Sequence, residues 1–183
     1  GGRRVEIKVS VRGERARYVA MALQNAQLSL ATERHGKQAQ QARLSDLQQM
    51  LGLDAAPQRL ECFDISHTQG EATVASNVVF NAEGAVPSQY RRFNIADITP
   101  GDDYAAMHQA LARRFKRALE QGVLPDVLLI DGGEGQLSQA REVLAGLGIS
   151  GVALVGVAKG VERKPGEETL ILADGRHIKP GAS

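Results

Sequence analysis

In the stretch RLECFDISHTQG (59–70), an apolar run closes on Asp64, Ser66 and His67. A carboxylate at the end of a buried strand loses hydration worth several kcal/mol unless a cation or hydrogen-bond donors compensate. A second run, PDVLLIDGGEGQL, closes on Asp131 and continues into Gly132, Gly133 and Gly135, and a third, GVALVGVAKG, closes on Lys159. If the strands carrying Asp64 and Asp131 lie parallel and adjacent, both carboxylates stand at one sheet edge, where open sheets bind ligands. Two close like charges repel unless a cation lies between them. Oxygen donors suit a hard divalent ion, Mg²⁺ or Mn²⁺. Lys159 would then contact a phosphate or position a nucleophilic water. The glycines permit close backbone approach and open a helix whose N-terminus favours phosphate. Carboxylates, metal and phosphate donors together point to phosphodiester chemistry.

Each of these residues also has a plainer use. A strand-end aspartate taken alone serves as a turn or cap residue. His67 is three positions from Asp64, so an unbroken strand points it to the opposite face. It joins the site only if the strand ends at Ser66, and then to orient Asp64 rather than to ligate metal. Asp102 and Asp103 of TPGDDYAAM are helix-cap residues, yet that helix start could lean over the metal and make Asp103 a third carboxylate. GGEGQ lacks the Lys-Ser/Thr of a nucleotide-binding P-loop. Basic residues cluster locally: Arg91 and Arg92 in YRRF, and Arg113, Arg114, Lys116 and Arg117 in ARRFKRA. They could follow a phosphate backbone, or simply form a solvated surface. Arg91 and Arg92 are neighbours on a strand and therefore face opposite sides. With few aromatics and no tryptophan, base stacking would not dominate.

The elements that must position these groups are legible in the periodicity. Val5, Ile7, Val9 and Val11 alternate as a short strand, followed by a turn at Gly13. Helical spacing then runs through Val19, Leu23, Ala26 and Leu30 and again through Leu44, Leu47 and Leu51, with the polar ERHGKQAQQAR between them. This predicts two helices or one bent helix, with the break near Gly36, and a boundary over 52–58. From 59, RLECFDIS, ATVASNVVFNAEG and AVPSQYRRFNI read as three antiparallel strands. A helix follows, with Met107, Leu111, Phe115 and Ala118 on its apolar stripe and Gly122 as its stop. DVLLID is the pattern of a parallel strand covered on both faces. A short helix, the strand VALVGVAK and a hairpin around Asp174-Gly175 complete the order. The fold class is α/β: three antiparallel strands, then alternating helix and strand in a mixed sheet. Residues 1–58 form an N-terminal strand and helical segment packing on a 59–183 core.

Composition excludes little but fits. The 183 residues have a 43% apolar share, enough for an ordinary core, and a net charge of only +1, so any nucleic-acid surface must be local. The lone Cys62 excludes an intrachain disulfide and fits a reducing compartment. No run approaches a membrane span and no signal-type block follows the basic start, so the protein reads as cytoplasmic. A first residue other than Met reads as a fragment.

ECFDISHTQGEATVASNVVF, YRRFNI, ITPGDDYAAM, PDVLLIDGGEGQL and GVAKG, in this order, closely resemble the C-terminal half of the UvrC family, the nuclease subunit of bacterial nucleotide excision repair. The likeness runs from Val5 and includes the RGERARYVAMALQNA helix. It implies a ribonuclease H-like fold and a Mg²⁺- or Mn²⁺-dependent cut in damaged double-stranded DNA 5′ to the lesion, with UvrB, after loading by UvrA. It places the family's catalytic aspartates on Asp64 and Asp131, with a further acidic position on Asp103. The family's histidine, from a later RDEAHRF-like helix, has no counterpart before Ser183, and His177 in DGRHIKP is not its equivalent. Two expectations therefore stand: a metal-dependent endonuclease domain truncated before its last helix, or a catalytically incomplete DNA-binding or assembly module.

Overall fold

The computed structural model describes residues 12–68, 72–99, 101–159 and 168–179. The expected strand over Val5, Ile7, Val9 and Val11 lies outside them. The chain divides into two units, Gly1–Ala42 and Arg43–Ser183.

The first unit is dominated by α1 (Glu14–Leu51), which continues into the second. The helix runs without interruption through Gly36, where a break or bend was expected. Strong helix formers (Ala, Gln, Glu, Lys, Arg) fill the polar middle, and a Glu33–Lys37 pair at 3.1 Å bridges one turn across Gly36. Tyr18, Val19, Met21, Leu23, Leu28 and Leu30 are exposed. At 100° per residue they fall on two opposed sides, so this part of α1 has no single apolar stripe.

In the second unit, β1 (Arg59–Thr68) and β2 (Ala72–Asn81) pair antiparallel from Arg59↔Asn81 to Thr68↔Ala72. The third expected strand is split. β3 (Gly84–Ala85) and β4 (Arg91–Asn94) both pair β2 and flank a 3₁₀ turn, Pro87–Gln89. Pro87 explains the split: it lacks the N–H a ladder needs, and its fixed φ suits the turn. β5 (Val127–Asp131) lies parallel to β1, from Leu60↔Val127 to Phe63↔Ile130, and β6 (Ala153–Ala158) lies parallel to β5. β7 (Thr169–Leu172) and β8 (His177–Ile178) add the expected hairpin, with Gly175 at φ 83° in its turn. The sheet order is β3-β2-β1-β5-β6-β7-β8, with β4 beside β2.

Strand alternation divides the core in two. Phe63, Leu128, Ile130 and Leu154 point to one face, where α2 (Asp103–Gln121) and α3 (Glu134–Gly146) cover them. Met107, Leu111, Phe115 and Ala118, the stripe expected from spacing, are all fully buried there. Asp102 caps α2, accepting a hydrogen bond from the Ala105 N–H at 3.0 Å, and Gly122 ends it at φ 65°. Leu60, Val127, Val155 and Leu172 point to the other face, where Leu44 of α1 joins their cluster and Leu47 and Leu51 pack against it.

Candidate functional site

The parallel register decides the position of the two carboxylates. Phe63 pairs with Ile130, so the next step in each strand is Asp64 and Asp131. Alternation puts both on the face that carries Leu60, Val127 and Val155, not the face under α2 and α3. Both side chains are half-buried. The Ser66 hydroxyl donates to Asp64 Oδ2 at 2.8 Å. Lys159, just past the end of β6, places Nζ 2.9 Å from Asp131 Oδ2. Sequence reasoning anticipated the strand ends at Asp131 and Lys159, whereas β1 continues four residues beyond Asp64 because β2 goes on pairing with it to Thr68; the structure adds that the lysine pairs directly with one of the carboxylates.

Cys62 reports the combined field of the pair. Its thiol is pushed up from the ordinary 9.0 to about 11, first by burial and then by the negative charges of Asp131 and Asp64. Both carboxylates therefore act on one point of this face. At pH 8 the thiolate fraction is lower than that of a free cysteine by about 100-fold. Iodoacetamide should alkylate the native metal-free chain at least that much more slowly than the urea-unfolded chain; equal rates would contradict the buried, carboxylate-flanked placement. The linkage has a definite sign. The native state holds its proton between pH 9 and 11 where the unfolded state has released it, so this contribution is complete below pH 9 and is lost as pH rises through about 11.

Asp103 opens α2 and is half-buried. The start of α2 meets the start of α3, because the Tyr104 ring lies over Gly135 so closely that a Cβ there would collide with it at 2.4 Å. Asp103 thus stands at the carboxyl end of β5, on the side of α2. Among the described residues, no group of three or more His, Cys, Asp or Glu is gathered closely enough to hold a metal ion. The two paired carboxylates themselves fit a hard divalent ion: they offer oxygen donors only, and one of them already attracts a cation, Lys159. β1 runs on through Thr68 instead of ending at Ser66, so the condition under which His67 would orient Asp64 is not met; the His67 side chain itself lies outside the described residues. Gly133, at the head of α3, donates its N–H to Gln136 Oε1 at 3.1 Å, so that amide is already satisfied.

The basic residues divide. Arg91, Arg92, Arg113, Lys116 and Arg117 are exposed. Arg114 is 8% exposed and holds Glu61, fully buried, through both its Nε and its terminal nitrogen. Arg59 Nε and Asn77 Nδ2 also donate to Glu61, at 2.9 and 2.8 Å. Arg114 therefore ties α2 to the sheet rather than projecting into solvent, because Glu61 alternates onto the α2 face of β1. The signal that could have exposed this was a glutamate at an inward position of an apolar strand. Arg59 was missed for the same reason.

Comparison with known proteins gives a consistent picture. Residues 48–180 match the UvrC RNAse H endonuclease domain. UvrABC system protein C of Stenotrophomonas maltophilia is 65% identical over 182 residues, covering 99% of this chain and 30% of that protein. The protein of that name from Xanthomonas campestris pv. campestris is 65% identical over 181 residues, 98% of this chain and 29% of the other. The chain thus spans about 30% of the length of these relatives. Among solved structures, human Endonuclease V superposes with a TM-score of 0.45 at 22% identity, over 68% of this chain and 58% of that one. Aquifex aeolicus Argonaute gives 0.43 at 17%, over 69% and 21%.

Proposed function

The chain belongs to the UvrC RNase H endonuclease domain family, with the ribonuclease H-like mixed sheet expected from its sequence; from that premise we propose that it is the metal-dependent nuclease core that cuts damaged double-stranded DNA 5′ to a lesion. It would act in the cytoplasm with UvrB, after UvrA has loaded the damage. Among the described residues no helix is long and apolar enough to cross a membrane.

The observation that carries this reading is the placement of Asp64 and Asp131 on one face, each one step past the last parallel pair of β1 and β5, with Lys159 paired to the second. Asp64 and Asp131 would hold Mg²⁺ or Mn²⁺, which when bound supplies charge stabilisation to the phosphodiester and acidifies a water. The Ser66 hydroxyl donates to one Asp64 oxygen, which leaves the carboxylate further acceptor lone pairs for the ion. Lys159 lies at the mouth of the same site, and its Nζ can turn from Asp131 to a phosphate oxygen, stabilising charge there. Asp103 would assist as a third carboxylate from the start of α2.

A second reading, a catalytically incomplete DNA-binding or assembly module, is favoured by one observation: no third His, Cys, Asp or Glu is gathered with the pair among the described residues. Electron paramagnetic resonance of added Mn²⁺ separates the two. The first reading expects bound Mn²⁺ that is lost on Asp131→Asn. A chain that binds none, with DNA present or absent, favours the second.

A further inference from the structure

Six arginines, Arg59, Arg91, Arg92, Arg113, Arg114 and Arg117, line one open cleft of about 450 Å³ with no acidic side chain in its lining. Of these six, Glu61, buried beneath, engages Arg59 and Arg114. Arg91 is held by backbone carbonyls of Ser88 and Tyr90, and Arg113 by that of Asn94, so these guanidinium groups are aimed without being neutralised. Among the described residues Arg92 and Arg117 have no ion-pair partner. Like charges gathered this closely repel and destabilise the compact state, which an anionic ligand would relieve.

We propose that the cleft is a second phosphate site for the DNA strand, distinct from the one at the carboxylates; the inference rests on the reading that this chain cuts DNA. The register supplies the geometry. Asp64 pairs with Ser76, and Ser76 with Arg92, so these three form one row on one sheet face. Two strand spacings put the Arg92 backbone about 10 Å from that of Asp64. Arg91, the next residue, pairs with Asn77 and alternates onto the α2 face, where Arg113 and Arg117 follow at i and i+4 on α2. β4 has a neighbour on one side only among the described residues. A backbone leaving the carboxylates can therefore pass Arg92, round the β4 edge and enter the cleft.

The chemistry favours backbone over base contacts. Phe93, the aromatic ring of the lining, is stacked on Phe63 at 6.0 Å and covered by Arg113 at 5.5 Å, so no ring face is open to a base. Binding is then independent of sequence and strongly salt-dependent.

The test is fluorescence anisotropy of a labelled DNA duplex with the 183-residue chain across a salt series. The triple variant Arg91→Gln, Arg113→Gln, Arg117→Gln leaves the Glu61 network intact and should melt with the parent. It is expected to bind about tenfold or more weakly, with the salt slope reduced by about 2 to 3. The corresponding Arg→Lys triple should keep most of the slope. An unchanged slope in the Gln triple, or a Lys triple as weak as the Gln triple, overturns the proposal. So does poly-L-glutamate displacing DNA at matched charge, which would assign the cleft to an acidic protein. Asp64→Asn separates this inference from the nuclease reading: an unchanged Gln triple beside a cut that needs Asp64 removes only the cleft, whereas a weakened triple beside a cut indifferent to Asp64 removes only the nuclease assignment.

Discussion

Asp64→Asn is expected to lower metal-dependent 5′ incision by about 10³-fold or more, with folding and DNA affinity unchanged. Of the two carboxylates, Asp131 has Lys159 as a partner, while Asp64 among the described residues receives only the Ser66 hydroxyl. Asp64 is thus the carboxylate with fewer protein partners, and the one with more to gain from a bound cation. Asn keeps the shape and an oxygen to accept from Ser66, but removes the charge and part of the repulsion toward Asp131. Stability should therefore hold or rise slightly, which separates a lost site from a lost fold. The measurement is nicking of a lesion-bearing duplex by the longer protein with UvrA and UvrB, beside thermal melts of both forms. Cutting at near-parent rates would remove Asp64 from the site.

The largest effect on stability is expected at Glu61. Glu61→Ala should cost about 3–5 kcal/mol, because it leaves the buried Arg114 guanidinium without its carboxylate. For a chain of this size that corresponds to a melting temperature lower by roughly 10 °C. The double replacement Glu61→Leu, Arg114→Met removes both charges together and should recover part of the loss, since it spares the desolvation of both ions but leaves Arg59 and the buried Asn77 amide without their acceptor. Urea unfolding of the two single variants and the double closes the cycle. A Glu61→Ala loss below about 1 kcal/mol would mean the pair does not anchor α2 to the sheet.

These two residues show how unevenly the sequence discloses its chemistry. Asp64 was conspicuous because a carboxylate closing an apolar run breaks the local pattern, and so was Asp131. Glu61 breaks the same pattern three residues earlier, yet its meaning depends on Arg114, fifty-three positions away. Arg113 and Arg114 are adjacent and chemically identical, and the basic cluster ARRFKRA assigns both to a nucleic-acid surface. A helix turns 100° per residue, and that single step carries one guanidinium into the core and leaves the other over Phe93.

The sequence by itself determined several elements and their ends: the buried stripe of α2 and its caps at Asp102 and Gly122, the apolar strands closing at Asp131 and before Lys159, and the hairpin at Asp174-Gly175, but not the end of β1, which runs past Asp64 to Thr68. Each follows from periodicity or from a residue's own backbone preference, which are local. Only the tertiary structure decided that Asp64 and Asp131 share a face, that Lys159 pairs with Asp131, that Pro87 divides one expected strand into two, and that arginines from β1, β4 and α2 meet in one cleft. Register and facing come from which strands pair and which helix covers them. Alternation along a strand relates its own residues to one another, but carries no information about the partner that will lie beside it.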